Sequence, residues 1–367
     1  MIKVLFLINS LGGGGAEKVL VNLVNNMDSK KFDISVRALV DDGPNKMYLS
    51  NKVKYDFIFR KSFRGLNYID RIPGIYQYTV RGEYDVIIAY LHGVCTRIIA
   101  KAPENQHTIA FLHANMKNSE FMKDLIRRNR VDMCFRNYDR IVAVSESVRQ
   151  SFIETTGILK NTCVKYNTFN IPLIMESAKA KDYRLLKNEN GITLCSVGKL
   201  EPVKGFDRMI RVLARLKEEG IYFTWNVVGE GIDRDKLEGM VNEYEIYTQV
   251  RFCGFDQNPY KYIVNSDLLV CSSYSEGFSS VVAESIILGT PVLTTDCSGM
   301  KEMLGDNNEY GLIVDNDEDS LFYMLKAIAQ DEKILAAYRE KVKNRASFFS
   351  VEHTVSEVEK MINEVVK

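Results

Sequence analysis

Short hydrophobic runs alternate with longer amphipathic stretches along almost the whole chain, and the alternation predicts a parallel α/β architecture. The first run, K-V-L-F-L-I, passes through a glycine cluster into A-E-K-V-L-V-N-L-V-N-N-M, where Leu20, Val24 and Met27 recur at helical spacing. Further strands are expected at D-I-S-V-R-A-L-V, D-V-I-I-A-Y, H-T-I-A-F-L-H and D-R-I-V-A-V-S. Between about Val164 and Gly191 the pattern lapses into V-K-Y-N-T-F-N-I-P-L-I and a polar, lysine-rich stretch. A second series then runs through I-T-L-C-S-V-G, F-T-W-N-V-V-G, V-R-F-C-G-F, D-L-L-V-C-S, P-V-L-T-T and G-L-I-V. The chain therefore divides into domains at residues 1–170 and 191–345, joined by a linker at 171–190. An amphipathic helix in V-S-E-V-E-K-M-I-N-E-V-V closes the chain within 346–367. No short repeat or low-complexity tract interrupts this order.

Composition agrees with two cores. The chain has 367 residues, 46% hydrophobic and 26% charged, enough for two domains of ~150 residues each. No apolar run approaches the ~18 residues of a membrane span, and M-I-K-V-L-F-L-I-N-S reads as a buried first strand rather than a signal peptide. Seven cysteines stand singly, without a C-x-x-C, so a reducing, cytoplasmic protein is expected. The net charge of zero hides a split: residues 1 to 180 hold 26 Lys and Arg against 17 Asp and Glu, and the remainder 22 against 31. Part of the excess lies in residues 60 to 81, where five basic residues interleave with Phe63, Tyr68, Tyr76 and Tyr78. A second patch is F-M-K-D-L-I-R-R-N-R, with Met122, Leu125 and Ile126 on one helical face beside Lys123, Arg127, Arg128 and Arg130. Either patch reads as a surface for anionic lipid, at the inner face of a plasma membrane, or as a solvated face over the core. Nucleic acid is not expected, since no binding motif accompanies the charge.

The most informative chemistry lies in S-E-G-F-S-S-V-V-A-E-S-I-I-L-G-T-P-V, where Glu276 is followed eight positions later by Glu284. With Glu276 in a strand-to-helix turn and Glu284 inside the helix, the two acids are at most ~12 Å apart at a rise of ~1.5 Å per residue. One carboxylate could then meet a sugar and the other a ribose, with free helix amides facing a diphosphate between them. This segment resembles the E-x7-E motif of retaining glycosyltransferases of the GT-B fold, in the large family 4 group. The resemblance implies two Rossmann-like parallel-sheet domains facing a central cleft, the first for the acceptor and the second for a nucleotide sugar, with the last helix crossing back onto the first.

Other segments are similar to the family in the same order. S-V-G-K-L-E-P-V-K-G-F-D puts Gly198, Lys199 and Lys204 directly after a strand, where two ammonium groups could neutralise a leaving diphosphate. The family often has arginine at the Lys199 position, so charge is kept and the bidentate fork is lost. Gly229 in V-V-G-E-G allows close approach of backbone to ligand, and the resemblance gives Gly254 and Phe255 to a nucleobase pocket. Gly277, Phe278, Ser279 and Ser280 form the turn into the Glu284 helix, amides toward phosphate, with the serine hydroxyls read as helix caps. Gly12 to Gly15 lack the G-x-G-x-x-G spacing of a dinucleotide site, and the resemblance instead lays Gly14 and Gly15 against the donor phosphates or the acceptor. His113 ends a strand at the sheet edge where ligands gather, near the donor sugar in relatives. D-N-D at Asp315 to Asp317 reads as a helix cap rather than a metal site. Y-D-R-I-V-A-V-S-E-S-V-R and T-T-D-C-S-G-M-K-E-M-L are also similar to family patterns.

The implied reaction moves a hexosyl or N-acetylhexosaminyl group from a nucleoside diphosphate sugar, UDP preferred, to a hydroxyl of a glycan or lipid-linked glycan in bacterial surface polysaccharide synthesis. Retention, domain closure and the absence of metal and cofactor belong to the same expectation. Three alternatives stay open: a non-catalytic sugar-nucleotide-binding or partner-stabilising subunit, a Rossmann-type dehydrogenase, and a transferase with a soluble acceptor such as a small metabolite, which would leave the basic patches without a task.

Overall fold

In the computed structural model, residues 1–117, 119–187, 191–297 and 299–367 are described, and they form thirteen strands in two wholly parallel sheets. Residues 188–190 of the expected linker, and Ser298 in T-T-D-C-S-G-M-K-E-M-L, lie outside the described residues. Two compact units result: Met1–Phe169 with Ser350–Lys367, and Asn170–Phe349. No helix among the described residues is long and apolar enough to cross a membrane.

The first unit holds β1 (Ile2–Ile8), β2 (Phe32–Val40), β3 (Lys54–Phe59), β4 (Val86–Ala89), β5 (His107–Leu112), β6 (Arg140–Ala143) and β7 (Thr162–Val164), in the order β3-β2-β1-β4-β5-β6-β7. Val4 to Ile8 are wholly buried, which is why β1 is a continuous apolar run and not an alternating one. Two edge strands were not expected, β3 and β7. The helix Val351–Val366 lays Val355, Val358, Met361 and Ile362 into this unit's core beside Val4 and Phe6. An ion pair of 2.7 Å between Lys165 and Glu357 pins its polar face, and the Lys165 ammonium holds the Glu357 carboxyl below the usual range.

The two basic patches separate once folded. In the helix Glu120–Arg127, Met122 and Leu125 are core residues, while Lys123 pairs with Glu120 at 2.7 Å and Asp124 takes both Arg127 and Arg128, at 2.7 and 2.8 Å. Its apolar stripe is packing, and much of its charge is answered locally. In the 60–81 stretch Tyr76 is buried, but Phe63, Tyr68, Ile72 and Tyr78 are exposed, and residues 60 to 65 are exposed without a break.

The second unit holds β8 (Ile192–Val197), β9 (Phe223–Val228), β10 (Val250–Gly254), β11 (Leu268–Cys271), β12 (Val292–Thr295) and β13 (Leu312–Val314), in the order β10-β9-β8-β11-β12-β13. The stretch read as a linker carries the helix Ile171–Ser177, and Leu186 exchanges hydrogen bonds of 2.8 and 3.0 Å with the Asn226 side chain on β9. In both sheets the chain leaves the central strand toward one edge and returns to fill the other, so the loops after β1 and β4, and after β8 and β11, diverge and leave a crevice at the strands' C-terminal ends.

Two histidines stand at that edge of the first unit. His92 follows β4 and His113 follows β5; the His113 backbone N–H donates to His92 Nδ1 at 3.4 Å, and the His113 ring packs 4.8 Å from that of Tyr90. Burial pushes His92 down to about 4, and burial together with its neighbour pushes His113 down to about 3, against an ordinary 6.5. Both imidazoles are neutral at pH 7. The His113 ring hydrogen-bonds the Tyr90 backbone, while its Nε2 is shielded and has no partner among the described residues. Because the folded values lie below the unfolded one, the unfolded chain binds more protons below pH 6.5, so stability is full above 6.5 and falls as the pH drops toward 4 and 3. Thermal melts between pH 7 and pH 4.5 should therefore show a steeper loss for the wild type than for His113→Asn; parallel curves would contradict a neutral, buried imidazole.

Candidate active site

The loops after β8 and β11 carry the two strongest candidates to one point. The loop after β8 is pinned by Leu200, which is wholly buried, and by a Gly198 N–H bond to the Val228 carbonyl at 3.0 Å. Lys199 points outward, with no side-chain partner among the described residues, and Lys204 points to Glu276. Gly205 follows at φ +65, and a Cβ there would collide with the Ser272 carbonyl, so the close approach of the two loops needs glycine. Ser272 Oγ answers by donating to the Gly205 carbonyl at 3.0 Å.

Glu276 Oε1 accepts from Lys204 Nζ at 2.7 Å and from Ser273 Oγ at 2.6 Å, with the carboxylate side chain only 9% exposed. Burial opposes the charge on Lys204, but the Glu276 carboxylate outweighs it and holds the ammonium above its ordinary value. Lys204 thus stays an ammonium throughout the neutral range.

Four residues further on, the helix Ser280–Leu288 begins with Ser279 at its cap position, and no side chain caps it. The serine capping expected from sequence is not made. The Ser279 hydroxyl therefore answers none of the orphan amides of the first turn. Glu284 lies in the middle of this helix, 5% exposed among Val282, Ala283, Ile286 and Ile287, and its Oε1 accepts from the Tyr260 hydroxyl at 3.2 Å. Phe278 is buried, its ring 6.2 Å from that of Phe349.

On the other side of β8, the ends of three neighbouring strands are glycines: Gly198, Gly229 and Gly254. Gly229 donates to the Gly254 carbonyl at 2.8 Å, and at φ +149 any Cβ on it would strike the Gly198 carbonyl. Phe255, next in the chain, is 56% exposed. Lys204, Glu276, Ser279, Ser280, Glu284 and these glycines belong to the second unit; Gly14, Gly15 and His113 belong to the first, where Gly14 caps the helix Gly15–Asn26 and Gly15 is its first residue. In D-N-D, Asp317 Oδ1 accepts from the Ser320 backbone at 2.7 Å and caps the helix Glu318–Gln330.

Sequence reasoning passed over three residues. His92 is a lone histidine without ligand spacing. Tyr260 shows no sign from sequence that its hydroxyl reaches Glu284. Arg208 sits on a helix whose amphipathic pattern would put a charge in solvent, yet it is 1% exposed; an arginine on the inward face of F-D-R-M-I-R-V-L was the available signal.

Two family models match the chain in succession: Glycosyltransferase Family 4 over residues 13–171 and Glycosyl transferases group 1 over residues 178–346. An N-acetylgalactosamine-N,N'-diacetylbacillosaminyl-diphospho-undecaprenol 4-alpha-N-acetylgalactosaminyltransferase of Campylobacter jejuni is 29% identical, over 95% of this chain and 96% of its own length. A second enzyme of C. jejuni, an alpha-1,4-N-acetyl-D-galactosaminyltransferase acting on a diNAcBac-PP-undecaprenol glycan, is 24% identical over 100% of this chain and 99% of its own. Among solved structures, Anabaena HepE in complex with UDP and glucose superposes with a TM-score of 0.81 at 19% identity, covering 99% of this chain and 100% of its own, a likeness of fold. Both halves matched in order, on two parallel sheets of Rossmann type, establish that the chain belongs to the group 1, family 4 type of glycosyltransferases and has their GT-B fold.

Proposed function

We propose that the protein transfers a hexosyl or, as the C. jejuni relatives suggest, an N-acetylhexosaminyl group from a UDP-sugar to a hydroxyl of a lipid-linked glycan in bacterial surface polysaccharide synthesis, with retention at the anomeric carbon. The observation that carries this reading is the Lys204–Glu276 pair, 2.7 Å apart, beside the uncapped start of the helix that holds Glu284. UDP is favoured by the nucleotide bound to the structural neighbour HepE.

The chemistry follows from the charges. As the sugar C1–oxygen bond breaks, its electron pair leaves on the diphosphate. Lys204, Lys199 and the amides of Phe278, Ser279 and Ser280 oppose that charge without reorganising. Glu276 orients the sugar and faces the positive charge developing at C1. The acceptor oxygen bonds to C1 from the side the diphosphate leaves, and its proton passes to the departing phosphate oxygen. Glu284, fixed by burial and Tyr260, accepts from the ribose hydroxyls, and Gly14, Gly15, Gly198 and Gly229 let backbone approach the donor. Gly254 and Phe255 meet the base. His113, a neutral imidazole at the C-terminal edge of the first unit's sheet, is assigned to the sugar side of the donor. The reaction as written balances without metal or cofactor.

With UDP-N-acetylgalactosamine and a diphospho-undecaprenol glycan, proton NMR of the product should show the α configuration of the donor; a β product would overturn retention. Glu276→Gln should lower kcat by roughly 10² or more, whereas Glu284→Ala should chiefly raise the donor KM, because ribose is held alike in ground and transition states.

A lipid-linked acceptor also gives the exposed 60–81 surface a task. Arg60, Lys61 and Arg64 flank Phe63 in the chain on an exposed stretch, a composition suited to anionic headgroups over apolar contact. Flotation with vesicles containing phosphatidylglycerol should carry the protein upward at low salt and release it at ~1 M salt, where screening reaches ~3 Å. Exchange of these three cations for glutamine should abolish flotation; unchanged flotation would remove this surface from the account.

A further inference from the structure

Arg208 is the third residue of the helix Phe206–Glu218 and lies four residues beyond Lys204. Its guanidinium is spread over three chain segments. Nε donates to the Ser272 carbonyl at 2.7 Å, Nη2 to the Ser273 carbonyl at 2.7 Å and to Thr295 Oγ1 at 3.4 Å, and Nη1 to Asn316 Oδ1 at 2.8 Å. The Tyr274 ring covers it, 4.0 Å from Cζ. These groups stand after β11, at the last residue of β12 and after β13, so one side chain ties the C-terminal ends of three adjacent strands. Its hydrogen-bond partners among the described residues are all neutral, and burial outweighs the more distant Asp207 and Glu318 to lower its affinity for the proton below the ordinary value. A buried cation held only by neutral groups is a poor way to stabilise a fold, since a well-packed apolar side chain commonly does as well.

Its partners are the framework of the candidate site. The Ser273 carbonyl is gripped by Arg208 and by Thr295 Oγ1 at 2.6 Å, while the Ser273 hydroxyl donates to Glu276 at 2.6 Å. Ser272 Oγ donates to the Lys204 and Gly205 carbonyls, at 3.2 and 3.0 Å, and Tyr274 N–H donates to the Val203 carbonyl at 2.8 Å. Asn316 adds a bond from Nδ2 to the Tyr274 carbonyl at 3.1 Å. The loop of Lys204 and the loop of Glu276 are thus joined through the residues Arg208 holds. We propose that Arg208 is a positioning residue that sets Lys204 toward the donor diphosphate and Glu276 toward the sugar, acting through the carbonyls of Ser272 and Ser273 and supported by Asn316. This rests on the reading of Lys204 as a diphosphate ligand.

Calorimetric titration with UDP and UMP separates positioning from bulk stability. Lys204 is assigned to the diphosphate, so Arg208→Lys, which keeps charge but loses the fork, should weaken UDP by roughly tenfold, in the range of one lost charged hydrogen bond, while UMP binding changes less than threefold. Asn316→Ala should show the same selectivity at smaller size and keeps the test usable if Arg208→Lys fails to fold. Equal weakening of UDP and UMP, or UDP affinity within twofold of wild type in both folded variants, would overturn the positioning role. The control is Lys204→Met: if it leaves UDP affinity unchanged, the reading of the site fails first; if it weakens UDP while the Arg208 and Asn316 variants do not, only the positioning role fails.

Discussion

Where two neighbouring parallel strands send their chains to opposite sides, their C-terminal ends face a gap that no crossover helix covers. β8 and β11 meet this condition in the second unit, and the molecule fills the gap with charge: Lys204 from one loop and Glu276 from the other, 2.7 Å apart. Almost everything nearby reads as a consequence of holding that pair. Gly205 lets the loops touch, Ser272 and Ser273 bond them together, and Arg208 anchors both serine carbonyls from behind. An ion pair this sheltered would contribute little to stability once desolvation is counted. Its worth is positional, since it puts a fixed cation and a fixed anion at the edge of a sheet next to the N-terminus of the Glu284 helix.

The second unit adds a carboxylate of another kind. Glu284 is buried in a helix beside Val282, Ala283, Ile286 and Ile287, with Ser285 the other buried polar residue, and the Tyr260 hydroxyl donates to it. Such a group is expensive to keep inside. Between it and Glu276 lie the loop residues 277–279 and the first turn of the helix Ser280–Leu288, so the backbone sets the spacing of the two acids.

Most of the architecture was legible because parallel strands buried on both faces are continuous apolar runs, which need no long-range information to recognise. The strands β3 and β7 escaped because edge strands are half-solvated: K-Y-D-F-I-F mixes charge with aromatics, and T-C-V is too short to stand out. The E-x7-E spacing, the loop lysines and the strand-end glycines were visible as local patterns. Contacts made across the sheet were not. Nothing in F-D-R-M-I-R says that Arg208 reaches the C-terminal ends of β11, β12 and β13, and nothing near Tyr260 names Glu284 as its partner. The basic patches show the same limit, since a periodic stripe of Met122 and Leu125 looks alike whether it meets a core or a lipid surface. The serine caps failed for a related reason: residue type offers a cap, and only the local backbone decides whether the hydroxyl turns to make it.

The central claim is that the second unit binds a nucleoside diphosphate through Lys204 and the Glu284 helix. Calorimetric titration of Lys204→Met and Glu284→Ala beside the wild type, with UDP, GDP and NAD in turn and no added metal, tests it most directly. Saturable binding of UDP, weakened by roughly tenfold or more in each variant as a buried charged contact is lost, is the expected result. Binding of NAD alone, or UDP affinity unchanged in both variants, would contradict it.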